Sequence, residues 1–167
     1  MSMTNFSLKD CIITEDSYIT SLESDNNSEI LSDETKDKII SLLENIDVYD
    51  NKKSNKCIPD YKFPEIRWDE NITCENPDLM SDEEIKNKFQ LLTAESKNRK
   101  REVCHKCYQT GKRGIAFDIP YFYKGGENWD INIPKNGRDG ELGCKGCAWY
   151  DFAEWRKHLL DVIEKNK

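Results

Sequence analysis

Apolar residues recur at helical spacing in three segments, of which the first is 32–47. Ser32 is a typical N-cap residue, and the acidic residues that follow it suit a first turn because of the helix dipole. The apolar stripe of this segment consists of Ile39, Ile40, Leu42, Leu43 and Ile46. We therefore expect a short amphipathic helix, which either packs on the rest of the chain or docks into a groove of a partner.

The second helical segment begins at Ser81, which with Glu84 forms the Ser-x-x-Glu pattern of a capping box. Its apolar face is expected to run through Phe89, and the helix is expected to end in the polar run 96–101. The third segment follows directly on Cys147, and its stripe consists of Phe152, Trp155, Leu159 and Val162. Both segments are predicted to be helices with one buried face.

Between these two helices the pattern changes from helical to strand-like. The run 115–123 is rich in strand formers, and the following KGGE (124–127) is a turn signal. Apolar and polar residues then alternate over 129–133, which is typical of a half-buried return strand. The sequence therefore predicts a β-hairpin here, and the fold class is α+β.

Two segments lack sustained periodicity. Residues 1–31 are rich in Ser, Thr, Asn, Asp and Glu, so we expect a disordered acidic tail. Residues 48–80 contain three prolines and predict an extended linker. Tyr61, Phe63 and Trp68 lie in this linker, and they either clamp it onto the following domain or dock on another protein.

Charge and glycine content both divide the chain. Residues 1–95 carry a net charge of −12 and residues 96–167 carry +5, within a total of −7. All eight glycines lie between Gly111 and Gly146. The sequence thus predicts four parts, namely an acidic tail (1–31), a helix (32–47), a linker (48–80) and a more basic domain (81–167).

Seven cysteines are present, and four of them form two Cys-x-x-Cys pairs. The odd number, and an N-terminus without the features of a signal peptide, argue against a secreted disulfide framework. No apolar run is long enough to cross a membrane. We therefore expect an intracellular protein, cytoplasmic or nuclear, whose cysteine pairs bind a metal or take part in redox chemistry.

The two pairs together supply the four soft thiolates of a tetrahedral metal site. We expect one structural Zn²⁺, with iron in the same site as the alternative. The predicted ligands are Cys104, Cys107, Cys144 and Cys147. Cys57 and Cys74 are too far apart, and too isolated from histidine, to form a second site.

A knuckle at the first pair, a hairpin, and a second pair at the start of a helix resemble a treble-clef zinc finger over about residues 100–165. The resemblance concerns the architecture, and it implies a small zinc module preceded by a largely disordered acidic arm. A zinc ribbon is the alternative, and the helix directly after Cys147 disfavours it.

A catalytic role is not expected from these residues. Four cysteines close the coordination sphere of zinc and leave no position for water. Treble clefs also scaffold HNH-type nucleases, but residues 108–143 contain no histidine to serve in one. No small-molecule substrate is expected, since no phosphate-binding loop is present.

Two functions from different classes remain open, and the first is nucleic-acid binding by a transcription- or chromatin-associated factor. Cations would contact phosphates and aromatic rings would stack on exposed bases. The candidate cations are Lys97, Arg99, Lys100, Arg101, Lys106, Lys112, Arg113 and Lys124. The candidate stacking residues are Tyr108, Tyr121, Tyr123 and Trp129.

The second function is that of a protein–protein adaptor, in which the zinc module is purely structural and the acidic arm recruits a protein. The candidate partner-binding residues are Ile39, Leu43, Ile46, Tyr61, Phe63 and Trp68. Salt separates the two functions, because phosphate binding weakens steeply with salt and apolar docking does not.

Overall fold

The computed structural model describes residues 31–73 and 75–167. The chain divides into two units, Met1–Leu31 and Ser32–Lys167, and the helices and strands of the described residues belong to the second. The tail 1–31, which we expect to be disordered, lies outside the described residues except for Leu31, and so does Cys74.

Helices dominate the described residues, together with two small antiparallel strand pairs, so the α+β class is confirmed. The α-helices are α1 (Asp33–Leu42), α2 (Glu70–Thr73), α3 (Asp82–Lys88), α4 (Ala94–Thr110), α5 (Gly137–Cys144) and α6 (Phe152–Lys165). The strands are β1 (Ile46–Asp47), β2 (Lys52–Lys53), β3 (Ile58–Tyr61) and β4 (Phe89–Leu92). Two 3-10 helices span Glu65–Arg67 and Pro77–Leu79. None of the helices in this part of the chain is long and apolar enough to cross a membrane.

Helix α1 begins where the sequence predicts, because the Ser32 hydroxyl accepts a hydrogen bond from the backbone N–H of Thr35. It ends five residues earlier than the predicted boundary at 47. Glu44 and Asn45 both have positive φ, 59° and 56°, and turn the chain back on itself. Ile46 therefore lies in β1 instead of on the helical stripe.

Segment 48–80, predicted to be an extended linker, packs on the rest of its unit instead. β1 pairs with β2, and β3 pairs with β4 in the register Ile58↔Leu92 to Tyr61↔Phe89. The Tyr61 ring lies with its centroid 4.2 Å from that of Phe89 and 4.7 Å from that of Trp68. The aromatic residues thus attach the segment to β4. Of the two roles that the sequence left open for them, the structure shows the one in which they clamp the segment onto the rest of the chain.

This packing covers the residues proposed to bind a protein partner. Ile39 and Phe63 are buried, and Leu43, Ile46, Tyr61 and Trp68 are half-buried. An apolar anchor must be exposed before it can enter a partner's groove. Ile39 and Phe63 are therefore inaccessible to a partner in this fold.

The capping box at Ser81 is present, with the Ser81 hydroxyl and the Glu84 carboxylate each accepting from the other's backbone N–H. The helix that it opens does not reach the polar run 96–101, because α3 ends at Lys88 and β4 follows with all four residues buried. A new helix, α4, then begins at the cap Thr93, whose hydroxyl accepts from the N–H of Ser96. The polar run is therefore the first half of α4.

The treble-clef arrangement is wrong. The first cysteine pair lies inside α4, which continues to Thr110, instead of in a knuckle. The predicted hairpin over 115–133 is absent, and only the isolated bridges Lys112↔Asn128 and Ala116↔Ile119 occur there. Cys144 ends α5, and α6 begins only at Phe152, so the second pair does not open the last helix.

Arg113 explains how this region is ordered without strand pairing. Its buried guanidinium donates to the carbonyl oxygens of Lys124 (2.8 Å), Gly126 (3.0 Å) and Lys145 (2.6 Å). Charged donors form strong hydrogen bonds when they are buried. One side chain thus joins the loop after α4 to the end of α5, which the local sequence pattern cannot reveal.

The main core lies beside these loops. Phe152 and Trp155 of α6 are buried, whereas Val162, further along the predicted stripe, is 41% exposed. The buried members of the core are Phe63, Leu92, Ala116, Cys144, Cys147, Ala148, Trp149, Tyr150, Phe152 and Trp155. Two of the four paired cysteines thus belong to the core.

Candidate functional site

The four paired cysteines line one small cavity. Cys104 and Cys107 reach it from the second half of α4, and Cys144 and Cys147 reach it from the end of α5 and the turn after it. The cavity has a volume of about 20 Å³, which is enough for about one water molecule. The structure therefore brings together the side chains that the sequence predicts to share a site.

The turn that carries Cys144 and Cys147 depends on Gly146. This glycine has a φ of 96°, and a Cβ there would lie 2.2 Å from the carbonyl oxygen of Lys124. The backbone N–H of Cys147 donates to the carbonyl of Cys144 at 3.1 Å and closes the turn. A side chain at position 146 would displace the loop that Arg113 also holds.

Burial is the largest influence on the pKa values of three of the four thiols. It raises the pKa of Cys104 and Cys147, and it raises the pKa of Cys144 to about 12. A cation lowers the pKa in each case, namely Lys100 for Cys104, Arg67 for Cys144 and Arg113 for Cys147. Burial outweighs the cations, so the pKa of each of these three thiols lies above its ordinary value.

Arg67 is the residue of this site that sequence reasoning missed. It is 1% exposed, and its guanidinium lies 3.8 Å from the Trp129 ring centroid and 5.3 Å from that of Tyr108. Nη2 donates to Cys107 Sγ at 3.3 Å, and Nη1 donates to the Lys135 carbonyl at 2.9 Å. These contacts span up to 68 residues of sequence, so no local pattern points to them.

The zinc-finger interpretation is not supported by this geometry. Within residues 31–73 and 75–167, no group of three or more His, Cys, Asp or Glu side chains is arranged to hold a metal ion. The cysteines share a cavity, but the architecture around them is not that of a treble clef. The single structural zinc ion expected from the sequence stays a prediction, which metal analysis of the purified protein tests.

Two of the eight cations proposed for nucleic-acid binding are buried. Lys100 is 3% exposed, and its Nζ lies 2.5 Å from Asp60 Oδ2 and donates to the backbone carbonyls of Tyr61 and Lys62. Arg113 is 6% exposed and bonds to backbone carbonyls as described. Neither group can reach a phosphate outside the protein.

The other candidate cations are accessible, and four of them lie on α4. Helix geometry places Lys97 and Arg101 on one flank, and Arg99 and Lys106 on the opposite flank. The exposed His105 joins the first flank and lines a groove there of about 60 Å³ with Lys97 and Arg101. Lys112 and Lys124 are exposed on the loops after α4.

The aromatic residues proposed for base stacking are engaged within the protein. Trp129 stacks on Arg67 and donates from Nε1 to the Ile133 carbonyl at 3.0 Å. Tyr123 stacks on His158 with centroids 4.3 Å apart, and the Tyr108 hydroxyl donates to Asn136 Oδ1 at 3.0 Å. Tyr121 is half-buried, with its ring 6.3 Å from Trp155. Each of these four aromatic residues thus has a partner within the protein and is partly buried.

Comparison with known proteins identifies the family to which this chain belongs. The sequence model of the ICEA protein family matches residues 48–167, which is most of the chain. This chain belongs to the ICEA family. The ICEA chain is also 39% identical, over 79 residues, to the type II restriction enzyme NlaIII of Neisseria lactamica. That similarity covers 45% of the chain and 30% of the enzyme, and no solved structure matches the chain.

These similarities correct three expectations. Membership of the ICEA family replaces the zinc-finger assignment. Similarity to a restriction enzyme contradicts the expected non-catalytic transcription factor or adaptor, and it also contradicts the conclusion that the chain is not an enzyme. A closed zinc coordination sphere and the lack of histidine between the cysteine pairs are therefore not sufficient grounds to exclude catalysis.

Proposed function

We propose that this ICEA-family protein acts on DNA in the manner of a restriction endonuclease. The observation that carries the proposal is the 39% identity to NlaIII over 79 residues. A protein of this kind must hold the polyanionic DNA backbone, and the positive charge of residues 96–167 suits that task. Phosphate contacts hold the protein in register on the duplex before any base is read.

Helix α4 is the element best suited to make phosphate contacts. Its 17 residues extend over about 25 Å, and cations lie on both of its flanks. The ion pair between Arg99 and Glu95 is exposed, with the two side chains 52% and 77% accessible. A DNA phosphate can therefore replace Glu95 as the partner of Arg99 at little cost in free energy. Lys100 and Arg113 hold the fold together and take no part.

Two double variants test the contact surface one flank at a time. The variant Lys97→Ala/Arg101→Ala removes the flank beside His105, and Arg99→Ala/Lys106→Ala removes the opposite flank. A flank that contacts two phosphates should lose about 1.8 from the slope of log affinity against log salt concentration. Lys157→Ala/Lys165→Ala is the matched control, because both lysines are exposed on another helix, α6.

Fluorescence anisotropy with a labelled duplex gives these affinities, and a supercoiled plasmid incubated with the protein and Mg²⁺ gives the cleavage. The proposal expects at least one flank variant to bind more weakly than the control, and it expects discrete cleaved products from the wild-type protein. Equal DNA affinity for the wild type and both flank variants contradicts the role of α4. Intact plasmid at saturating protein contradicts nuclease activity of this chain.

A further inference from the structure

Phe117 is an exposed aromatic residue in a backbone conformation that its residue type disfavours. Phe117 and Asp118 have φ values of 54° and 56°, and the Ile119 N–H donates to the Ala116 carbonyl at 2.9 Å. This is a turn of type I′, whose two central positions favour Gly, Asn and Asp. Asp118 suits such a turn, whereas the large side chain of Phe117 does not.

The Phe117 ring nevertheless has a defined position. It stacks on Tyr49 with centroids 4.8 Å apart and planes inclined by 29°, and it remains 45% exposed. Its contacts with Phe152 and Trp155 are longer, at 6.3 Å and 6.2 Å. A residue placed only to fill the core would be covered, but Phe117 remains partly open to solvent.

Tyr49, which supports Phe117, is held rigidly. The buried carboxylate of Asp47 accepts from the Tyr49 N–H at 2.8 Å and from the Thr93 N–H at 3.1 Å. Arg156 of α6 donates to the carbonyls of Val48 (3.1 Å) and Tyr49 (3.0 Å). Tyr49 and Phe117 thus form a two-ring platform that is fixed before any ligand arrives, which lowers the entropy cost of binding.

Cations lie beside this platform. The Arg99 guanidinium lies 5.9 Å from the Tyr49 ring centroid, and Nη1 lies 3.3 Å from the Tyr49 hydroxyl. Lys52 and Lys53 are exposed in β2, just after the turn that carries Tyr49. A partly exposed aromatic ring next to exposed cations is the combination that binds a base and its flanking phosphates.

We propose that the partly exposed ring of Phe117 stacks on an unpaired base of a DNA strand, with Arg99 at an adjacent phosphate. The proposal rests on the proposed function, since it names a contact within the DNA surface of α4. It assigns the Arg99 flank, and not the Lys97 flank, to the site where a strand leaves the duplex. The alternative is that Phe117 only covers the aromatic core.

The stacking contact is tested by combining substitutions of Phe117 with a DNA strand that lacks bases. The probes are a fluorescein-labelled single-stranded oligonucleotide and an oligonucleotide of the same length in which the central nucleotides are abasic. Phe117→Leu keeps an apolar side chain over Tyr49 but lacks the ring face, and Phe117→Tyr keeps the ring. Phe117→Asn suits the turn and removes the apolar group, so thermal unfolding of this variant measures how much Phe117 contributes to the fold.

Phe117→Leu should bind the intact strand on the order of tenfold more weakly than the wild type. The two proteins should bind the abasic strand equally, and Phe117→Tyr should match the wild type on both strands. Phe117→Asn should repeat the loss on the intact strand while its melting temperature stays within a few degrees of the wild type. Equal losses on the intact and abasic strands, or no loss on either, would overturn the stacking contact.

Failure of the stacking contact can be told apart from failure of the proposed function. If the wild type binds both strands with a steep salt dependence and Phe117→Leu matches it, only the stacking contact is overturned. If the wild type binds neither a strand nor a duplex at low salt, the proposed function fails and the stacking contact fails with it.

Discussion

The ammonium group of Lys100 lies in the interior against Asp60, whose carboxylate also accepts from Gln90 Nε2 at 3.3 Å. Replacing Lys100 by Met leaves that carboxylate buried without a counter-charge. We expect Lys100→Met to lower the free energy of unfolding by about 3–5 kcal/mol. Urea denaturation measures the change, and Lys97→Met on the same helix is the control, with an expected change within about 0.5 kcal/mol. Similar stabilities for the two variants would show that Lys100 is not buried as described.

For the substitution of Gly143 by alanine, steric packing and helix propensity predict opposite changes in stability. Alanine is preferred to glycine inside a helix by about 1 kcal/mol, but a Cβ at Gly143 of α5 would lie 2.3 Å from the Trp129 ring. Trp129 is itself held by Arg67, so it cannot move freely. We expect Gly143→Ala to destabilise the protein by about 1–3 kcal/mol in thermal or chemical denaturation.

The matched control for this substitution is Gly126→Ala, because no atom lies within 4 Å of a Cβ built there. Its effect on the free energy of unfolding is expected to be within about 0.5 kcal/mol. A more stable Gly143→Ala variant would contradict the packing of α5 against Trp129.

Residues that act through neighbours in the sequence could be predicted, and those that act over long distances could not. Ser32 and Ser81 are recognisable as caps because their partners lie three residues away. Arg67 and Arg113 bond to groups up to 68 and 32 residues away, so they look like ordinary surface cations in the sequence. Lys100 was misjudged for the same reason, since the chain beside it is basic and its partner Asp60 is 40 residues away.

At the scale of elements, α1 is joined to the 3-10 helix Pro77–Leu79 through one carboxylate. The hydroxyls of Thr35 and Ser32 both donate to Asp78 Oδ1, and they lower the pKa of Asp78 from its ordinary value of 3.8. A lowered pKa stabilises the folded state above the ordinary pKa, and this stabilisation is lost as the pH falls through the folded-state pKa.

We therefore expect Asp78→Asn to be less stable than the wild type at neutral pH, with a difference that shrinks as the pH falls below the ordinary pKa of 3.8. Denaturant midpoints measured across the pH range test this. Asp37→Asn, at another exposed carboxylate on α1, is the control and should show a smaller difference at neutral pH. A constant difference between Asp78→Asn and the wild type at every pH would contradict the role of the charge.

The sequence mispredicts a strand as part of a helix where two local signals conflict. The apolar residues 85, 89 and 92 fit one helical face, but the run Phe89–Leu92 is also a short apolar strand flanked by the cap Thr93. Tertiary pairing with β3 decides for the strand, and that pairing joins residues about 30 positions apart. The KGGE run predicts the turn of a hairpin, whereas only isolated bridges occur around it.

At the scale of the whole molecule, residues 32–167 form one compact unit that includes both acidic and basic segments. Residues 46–92 supply strands and aromatic groups that pack against α4 and the core that follows it. Composition alone divided the chain near residue 95, but composition reports charge and not contact. The accessible cations of this unit include Lys97, Arg99, Arg101 and Lys106 of α4, and it is there that the protein is proposed to meet DNA.

The salt dependence of duplex DNA affinity tests this proposal most directly. Anisotropy of a labelled duplex should show binding at about 50 mM salt that weakens steadily towards about 200 mM, with a slope that corresponds to several phosphate contacts. The slope should fall in at least one of the two α4 flank variants, and it should stay unchanged in Lys157→Ala/Lys165→Ala. Absence of binding at low salt, or binding that salt does not weaken, would contradict the account.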